Sequence, residues 1–256
     1  MAEKQEVLAR MAGTAQEKNE PKYYVVKRHL LGLLPDFGPG VPLPTERELA
    51  SALSTSRTTV RQALTELVVE GRLVRRHGSG TYVAEPKLAW PLEMSSFTEQ
   101  AASSGLVVET SLVSATRIRA TAELAELLQV KVGSSVHRLE RLRKVNGSPM
   151  ALEQSHLSAA RFPGIARAVR RTGSLYQVLA EQWDIKIIGA IETIETAPAS
   201  PREASLLETD VGSPMMVLSR HSFDAQNGPV EWVRSWYRGD RYKFVATLGF
   251  PDRTHG

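Results

Sequence analysis

Apolar positions in the first third of the chain recur at helical spacing in three separate blocks. Tyr23, Val26, Leu30 and Leu33 form one stripe within 22–34, and Pro35 with Gly38-Pro39-Gly40 ends it. Thr45 followed by Glu48 has the form of a capping box, which predicts a short second helix that buries Leu49 and Leu53. Ser56 is placed to cap a third helix whose inward stripe is Val60, Ala63, Leu64 and Leu67. The other face of that helix is polar, with Arg57, Thr58, Thr59, Arg61 and Gln62 crowded into its first turns. Gly71 suits the left-handed residue past a helix end. Leu73 to Arg75 and Thr81 to Ala84 then read as two short strands around His77-Gly78-Ser79-Gly80.

Beyond residue 92 the period changes. Alternation predicts strands over 107–118, 135–145, 150–157, 186–196, 215–224, 229–237 and 242–248. Helices are expected between them over 120–128, 174–183 and 200–207, opened by Thr121, Ser174 and Ser200-Pro201. Asn146-Gly147 and Asn227-Gly228 have the composition of two-residue hairpin turns. The predicted fold class is therefore α+β: an N-terminal winged helix-turn-helix followed by a domain with a mainly antiparallel sheet. The expected organisation is a disordered tail over 1–20, a DNA-binding module over 21–84, an extended linker over 85–91 between Pro86 and Pro91, and a second domain over 92–250.

Charge gives the first module a partner. Residues 22–87 hold ten Lys or Arg against six acids, a balance of +4, and the whole chain is also +4, so the remainder is neutral. Such a concentration of positive charge around a polar helix face is the footprint of nucleic-acid binding, with side chains able to reach phosphates and base edges in a major groove. Arg75, Arg76 and His77 at the tip of the two-stranded wing could follow the backbone or enter the adjacent minor groove. A pair of ordinary packed helices with a solvated basic face is the plainer alternative. The 256 residues contain no cysteine, which excludes disulfides and thiolate metal sites. No apolar run is long enough for a membrane span and no apolar signal core opens the chain, so a cytoplasmic protein without metal or cofactor is expected.

In the second domain, Arg141 and Arg143 stand at i and i+2 on one predicted strand and share a face, where they could fork a phosphate or carboxylate. Glu153, Glu231 and Tyr237 on other strands could bind hydroxyls or an amine. Ser95-Ser96-Phe97-Thr98, as a helix start, would add N–H donors for an anion. A cross-strand ladder of solvated ion pairs uses the same residue types. No nucleophile, metal triad or cofactor loop accompanies them, so no catalytic residues are assigned. An enzyme of related pocket shape and a DNA-binding protein that responds to no ligand stand as the alternatives.

The motifs Pro44-Thr-Glu-Arg-Glu-Leu-Ala50, Ser56-Arg-Thr-Thr-Val-Arg-Gln-Ala-Leu64, Glu70-Gly-Arg-Leu73 and Gly78-Ser-Gly-Thr-Tyr-Val83 together resemble the winged helix-turn-helix of GntR-type bacterial transcription regulators. That resemblance implies operator contacts from Arg47, Arg57, Thr58, Thr59, Arg61, His77 and Gly78. Many members carry lysine between the wing glycines, where this chain has Ser79. Residues from about 92 to 248 look like the UTRA effector domain of the HutC branch, which shares its fold with chorismate lyase. The carriers of that likeness are Arg141-Leu-Arg143, Asn146-Gly-Ser-Pro-Met-Ala-Leu-Glu153, Ser174-Leu-Tyr176, Glu192-Thr-Ile-Glu195 and Val230-Glu-Trp-Val-Arg-Ser-Trp-Tyr237. Within the branch the pattern is most similar to regulators of N-acetylglucosamine use, which answer to glucosamine 6-phosphate or N-acetylglucosamine 6-phosphate. The resemblance implies a phosphate held by Phe97, Thr98, Arg141, Arg143, Ser174 and Tyr176, and a sugar held by Glu153, Glu231 and Tyr237. The expected mechanism is a homodimeric, repressor-like regulator on an inverted-repeat DNA operator, with effector binding expected to release the DNA.

Overall fold

The structure is a computed structural model that describes residues 20–76, 78–93, 97–98 and 105–248. The expected N-terminal tail, His77, Ser95 and Ser96 lie outside the described residues. The chain divides into two units, Met1–Leu88 with Gly239–Arg241, and Ala89–Arg238 with Tyr242–Gly256.

In the first unit, α1 (Lys22–Leu33), α2 (Glu46–Ala52) and α3 (Arg57–Val69) precede a two-stranded wing of β1 (Leu73–Arg76) and β2 (Gly80–Val83). Both predicted caps form. Thr45 Oγ1 accepts from the Glu48 backbone N–H at 3.3 Å while the Glu48 carboxylate accepts from the Thr45 N–H at 2.7 Å, and Ser56 Oγ accepts from the Thr59 N–H at 3.1 Å. Val60, Ala63, Leu64 and Leu67 are all buried, and they close a core with Val26, Leu30, Leu49 and Leu73. On α1, burial centres on Val25, Val26 and Leu30. Lys27 reaches across to Glu66 at 2.7 Å and Glu70 at 2.5 Å, tying α1 to α3. Gly71 takes a φ of +70°, a region open to glycine without strain, and turns the chain into β1.

The second unit is a six-stranded antiparallel sheet in the order β4-β5-β6-β9-β8-β7. Its strands are β4 (Val108–Arg119), β5 (Ser135–Val145), β6 (Ser148–Ser158), β7 (Gly189–Pro198), β8 (Pro214–Phe223) and β9 (Pro229–Arg238). Helices α5 (Ile165–Thr172) and α6 (Leu175–Trp183) cover one face through a core that includes Leu139, Leu157, Phe162, Val178 and Val230. Helices α4 (Ala122–Leu127) and α7 (Pro201–Leu207) cover opposite ends of the other face. A separate ribbon pairs β3 (Leu88–Pro91) with β10 (Tyr242–Val245).

Three elements differ from expectation. Leu88–Pro91, inside the stretch read as an extended connector, is strand β3, whose hydrogen-bonded partner is Tyr242–Val245 near the other end of the chain and leaves no local signal. Helix α5 lies in a stretch to which no helix is assigned from sequence, although its buried residues Ile165, Ala168 and Val169 stand at i, i+3 and i+4 opposite the exposed Arg167, Arg170 and Arg171. Asn227-Gly228 does not make a two-residue turn. The loop spans Asp224 to Gly228 because the Asp224 carboxylate accepts from the backbone N–H groups of Gln226 at 3.0 Å and Gly228 at 2.8 Å. Asn146-Gly147 does form the tight turn, with φ of +49° and +77°.

Candidate functional site

Strand register assembles a pocket on the face of the sheet that α6 approaches. Arg141 on β5 stands opposite Glu153 on β6, which stands opposite Ser235 on β9, which faces Leu218 on β8. One rung along, Arg143, Ala151 and Tyr237 are in line, and on the other side Val233, Arg220 and Glu192 are in line. All of these side chains except Ala151, with Phe97, Ser174, Tyr176, Glu231 and Phe244, line one cleft. Period-two geometry is what converts the separated motifs into one lining.

Every arginine of the pocket has a carboxylate partner. Glu153 Oε2 accepts from Arg143 Nε at 2.9 Å, and forms ion pairs with Arg143 Nη2 at 2.7 Å and Arg141 Nη2 at 3.0 Å. Arg143 Nη1 also donates to Thr110 Oγ1 at 2.6 Å and to the Gly173 carbonyl at 3.3 Å, while Arg141 Nη2 donates to Ser155 Oγ at 2.9 Å. On the opposite wall Arg220 forks Glu192 through Nε at 2.9 Å and Nη2 at 3.2 Å. Burial alone would push the Glu153 carboxyl up, but the fields of Arg143 and Arg141, with the Arg143 hydrogen bond, hold it below the usual carboxylate range. Glu231 goes the other way. Burial pushes its carboxyl above that range, against the 3.8 Å attraction of Arg141. Its Oε1 and the Nε of Arg141 are buried without a hydrogen-bond partner among the described protein atoms. Burial likewise pushes the Tyr176 phenol up to about 12, so it stays neutral and shares a hydrogen bond with Ser222 Oγ at 3.2 Å.

Of the nine residues read from sequence as effector contacts, eight share this lining: Phe97, Arg141, Arg143, Glu153, Ser174, Tyr176, Glu231 and Tyr237. Thr98 is half-buried and outside it. Sequence reasoning missed Glu192, Arg220 and Ser235. The signal for Arg220 was present, because it falls two residues after Leu218 and so carries a charge on the inward face of an alternating strand. Ser174 caps α6 by accepting from the Gln177 N–H at 3.4 Å, which brings the N-terminal end of that helix to the pocket wall.

On the first unit, Arg47 on α2, Arg57, Thr58 and Arg61 in the first turns of α3, and Gly78 in the wing are exposed, and Thr59 on α3 is half-buried. His77 lies outside the described residues. Arg61 is not a bare donor as sequence suggested, since it forks Glu46 from α2 at 3.0 and 2.7 Å. Arg75 donates to Thr65 Oγ1 at 2.8 Å, and the Arg76 guanidinium sits 4.5 Å over the Tyr82 ring at the wing.

A winged basic reading unit followed by a polar, charge-lined pocket in an antiparallel sheet defines a DNA-binding transcription regulator with an effector domain. The family of bacterial regulatory proteins, gntR family, matches residues 26–83, and the UTRA domain family matches residues 103–243. The chain belongs to the GntR family, and its pairing with a UTRA domain is that of the HutC type. It is 40% identical to the HTH-type transcriptional repressor PhnF of Mycolicibacterium smegmatis over 227 residues, 89% of this chain and 92% of that protein. To the HTH-type transcriptional repressor NagR of Bacillus subtilis it is 37% identical over 229 residues, 88% of this chain and 93% of that one. The crystal structure of PhnF from Mycobacterium smegmatis superposes with a TM-score of 0.61, covering 87% of this chain and 98% of that one. The protein is thus a transcriptional repressor of the GntR type with a UTRA domain, and a regulator rather than an enzyme. Among the described residues no helix is long and apolar enough to cross a membrane.

Proposed function

We propose that this repressor controls genes for amino-sugar uptake and use. As a cytoplasmic homodimer it would hold an inverted-repeat operator and leave it when glucosamine 6-phosphate or N-acetylglucosamine 6-phosphate enters the pocket. The observation that carries this reading is the buried constellation of Arg141, Arg143 and Glu153 with two unpartnered polar atoms, Arg141 Nε and Glu231 Oε1, in one lining. The resemblance to regulators of N-acetylglucosamine use supplies the ligand class. Three arginines face three glutamates there, and burial favours the neutral form of Glu231, so the lining leans positive and suits an anion. The phosphate belongs beside Arg143, Ser174 and Tyr176, where the start of α6 adds N–H donors. Glu153, Glu231 and Tyr237 then meet the sugar.

On the DNA side, Arg47, Arg57, Thr58, Thr59, Arg61, His77 and Gly78 would contact each half-site, with the start of α3 in the major groove. Two-fold symmetry of the dimer demands half-sites about one helical turn apart. Release would begin at Arg143, whose guanidinium lies 5.4 Å over the Phe97 ring. Phe97 stacks on Trp90 at 4.8 Å, and Trp90 on Tyr242 at 5.3 Å. Trp90 lies in β3, directly after the residues that leave the reading unit, so a phosphate that draws Arg143 from Glu153 would disturb a contiguous stack running to the connector. Coupling of this kind is typically worth about 1–3 kcal/mol, or about 5–150-fold in operator affinity.

The test is thermal melting of the purified protein with the two sugar phosphates, the free sugars, inorganic phosphate and chorismate. Ligand at a hundred times its dissociation constant stabilises by about 2.7 kcal/mol. A shift with the amino-sugar phosphates and none with the free sugars is expected. A shift with chorismate alone, or with none of the panel, would remove the assignment. Trp90→Ala should keep the shift but lose effector-driven release of DNA.

A further inference from the structure

We propose that Glu46 is a specificity-determining residue of the DNA-reading surface: its carboxylate grips one edge of the Arg61 guanidinium and turns the other edge toward a guanine of the half-site. The inference rests on the reading that α3 enters the major groove.

Arg61 offers two bidentate edges, one formed by Nε with Nη2 and one by Nη1 with Nη2. Glu46 occupies the first, with Nε 3.0 Å from both carboxylate oxygens and Nη2 2.7 Å from Oε2. The second edge keeps two parallel N–H groups, the pattern that matches guanine O6 and N7. An unbraced arginine on a helix surface samples many rotamers, and a planar fork held along one side loses that freedom before it meets DNA.

The brace is itself well held. Glu46 is the first residue of α2, and the Thr45–Glu48 capping box fixes the turn that presents it. A helix start favours a carboxylate there. The hydrogen bond from Arg61, then the fields of Arg61, Arg75 and Arg57, hold its carboxyl below the usual range against a smaller desolvation cost, so it is ionised. Arg61 remains 57% exposed although paired, leaving its outer edge accessible, whereas Glu46 is 27% exposed. A carboxylate among three arginines on a surface meant for phosphates weakens binding to DNA in general. Its presence has a physical rationale if the penalty falls on every sequence while the correctly aimed fork rewards one base pair.

The experiment begins with duplexes that the wild-type full chain selects from a randomised pool. Single-base-pair variants of the selected site are then titrated by anisotropy against wild type, Arg61→Ala, Glu46→Ala, Glu46→Gln and the double variant Glu46→Ala with Arg61→Ala. Arg61→Ala should lose at least about fivefold preference at one base pair per half-site. Glu46→Ala should lose preference at that same base pair while binding unselected DNA more tightly, Glu46→Gln should fall between it and wild type, and the double variant should lose no more preference than Arg61→Ala alone. If Glu46→Ala tightens binding to every duplex equally and keeps the base preference, the pair is an incidental surface ion pair and the proposal fails. If Arg61→Ala leaves every base preference intact, or the wild type selects no consensus, the recognition-helix reading itself fails, which is a different result. Melting and circular dichroism of each variant identify any loss of fold, and Glu46→Gln keeps an acceptor oxygen in place should Glu46→Ala unfold.

Discussion

Glu153→Gln separates the ion-paired pocket from an ordinary sheet interior. Glu153 Oε2 accepts from Arg143 Nε at 2.9 Å and lies 2.7 Å from Arg143 Nη2 and 3.0 Å from Arg141 Nη2, with all three side chains at most 8% exposed. Removing one partner from a buried ion pair costs about 3–5 kcal/mol, because the remaining charge stays buried without compensation. Glutamine keeps an acceptor oxygen, so the low end of about 3 kcal/mol applies. In a unit of this size each kcal/mol moves the melting point by about 2–4 °C, which gives a fall of about 6–12 °C. The same substitution makes the lining one charge more positive, so inorganic phosphate should recover stability in the variant and much less in wild type. Scanning fluorimetry at pH 7 with and without phosphate reads both effects. The pH dependence has a definite sign. Because the folded pKa of Glu153 is depressed, its stabilisation is complete above the unfolded value and is lost as pH falls through the lower folded value. The advantage of wild type should therefore shrink below about pH 4. A variant that melts within about 2 °C of wild type and responds to phosphate no differently would refute the reasoning.

Arg143→Ala should abolish the response to sugar phosphates in the melting assay while leaving operator affinity intact; a wild-type response would remove the phosphate assignment. Arg57→Ala should do the reverse, levelling selected and unselected duplexes in a binding titration without changing the ligand-induced shift. Leu64→Ala opens a cavity at a residue 2% exposed, costing about 2–5 kcal/mol, and should melt the reading unit and end DNA binding while effector binding persists. Burial pushes His156 down to about 4, so the native state resists its protonation and wild type should lose about 2 kcal/mol as pH falls from about 6.5 to about 4. Denaturant melts of His156→Gln across that range should lack the slope; a parallel slope in both proteins would put the acid sensitivity elsewhere.

Legibility in the sequence followed the range of the interactions. The α3 stripe and its cap are local, so Ser56, Val60, Ala63, Leu64 and Leu67 could be placed from spacing alone. Arg141 and Arg143 were legible as a pair because a strand sends i and i+2 to one side, and Asn146-Gly147 because its turn type requires two positive φ values. What spacing could not give was pairing between distant segments. The fork of Arg61 on Glu46 joins two helices across 15 residues, and Arg220 with Glu192 joins two strands across 28. Bare sequence marks all four as polar positions, and only register turns them into partners. Asp224 shows the same limit in a loop, since its carboxylate, not the adjacent Asn-Gly pair, sets the turn.

The ion pairs of the pocket bear on ligand choice as much as on stability. In the free protein Glu153 already satisfies Arg143, so an entering group must offer that arginine as much as a buried carboxylate does. A hydroxyl of a free sugar cannot, because a neutral acceptor forms a weaker bond and would leave Glu153 buried without its cation. A phosphate can, since it carries two charges and three acceptor oxygens, which the proposed site would set against Arg143, Ser174 and the start of α6 together. Displaced from Arg143, Glu153 keeps Arg141 at 3.0 Å and gains any hydroxyl or amine the sugar presents. On the proposed reading, selectivity for a phosphorylated sugar and displacement of Arg143 from its place over Phe97 would be one event, so a ligand too weak to break the pair would neither bind tightly nor release DNA.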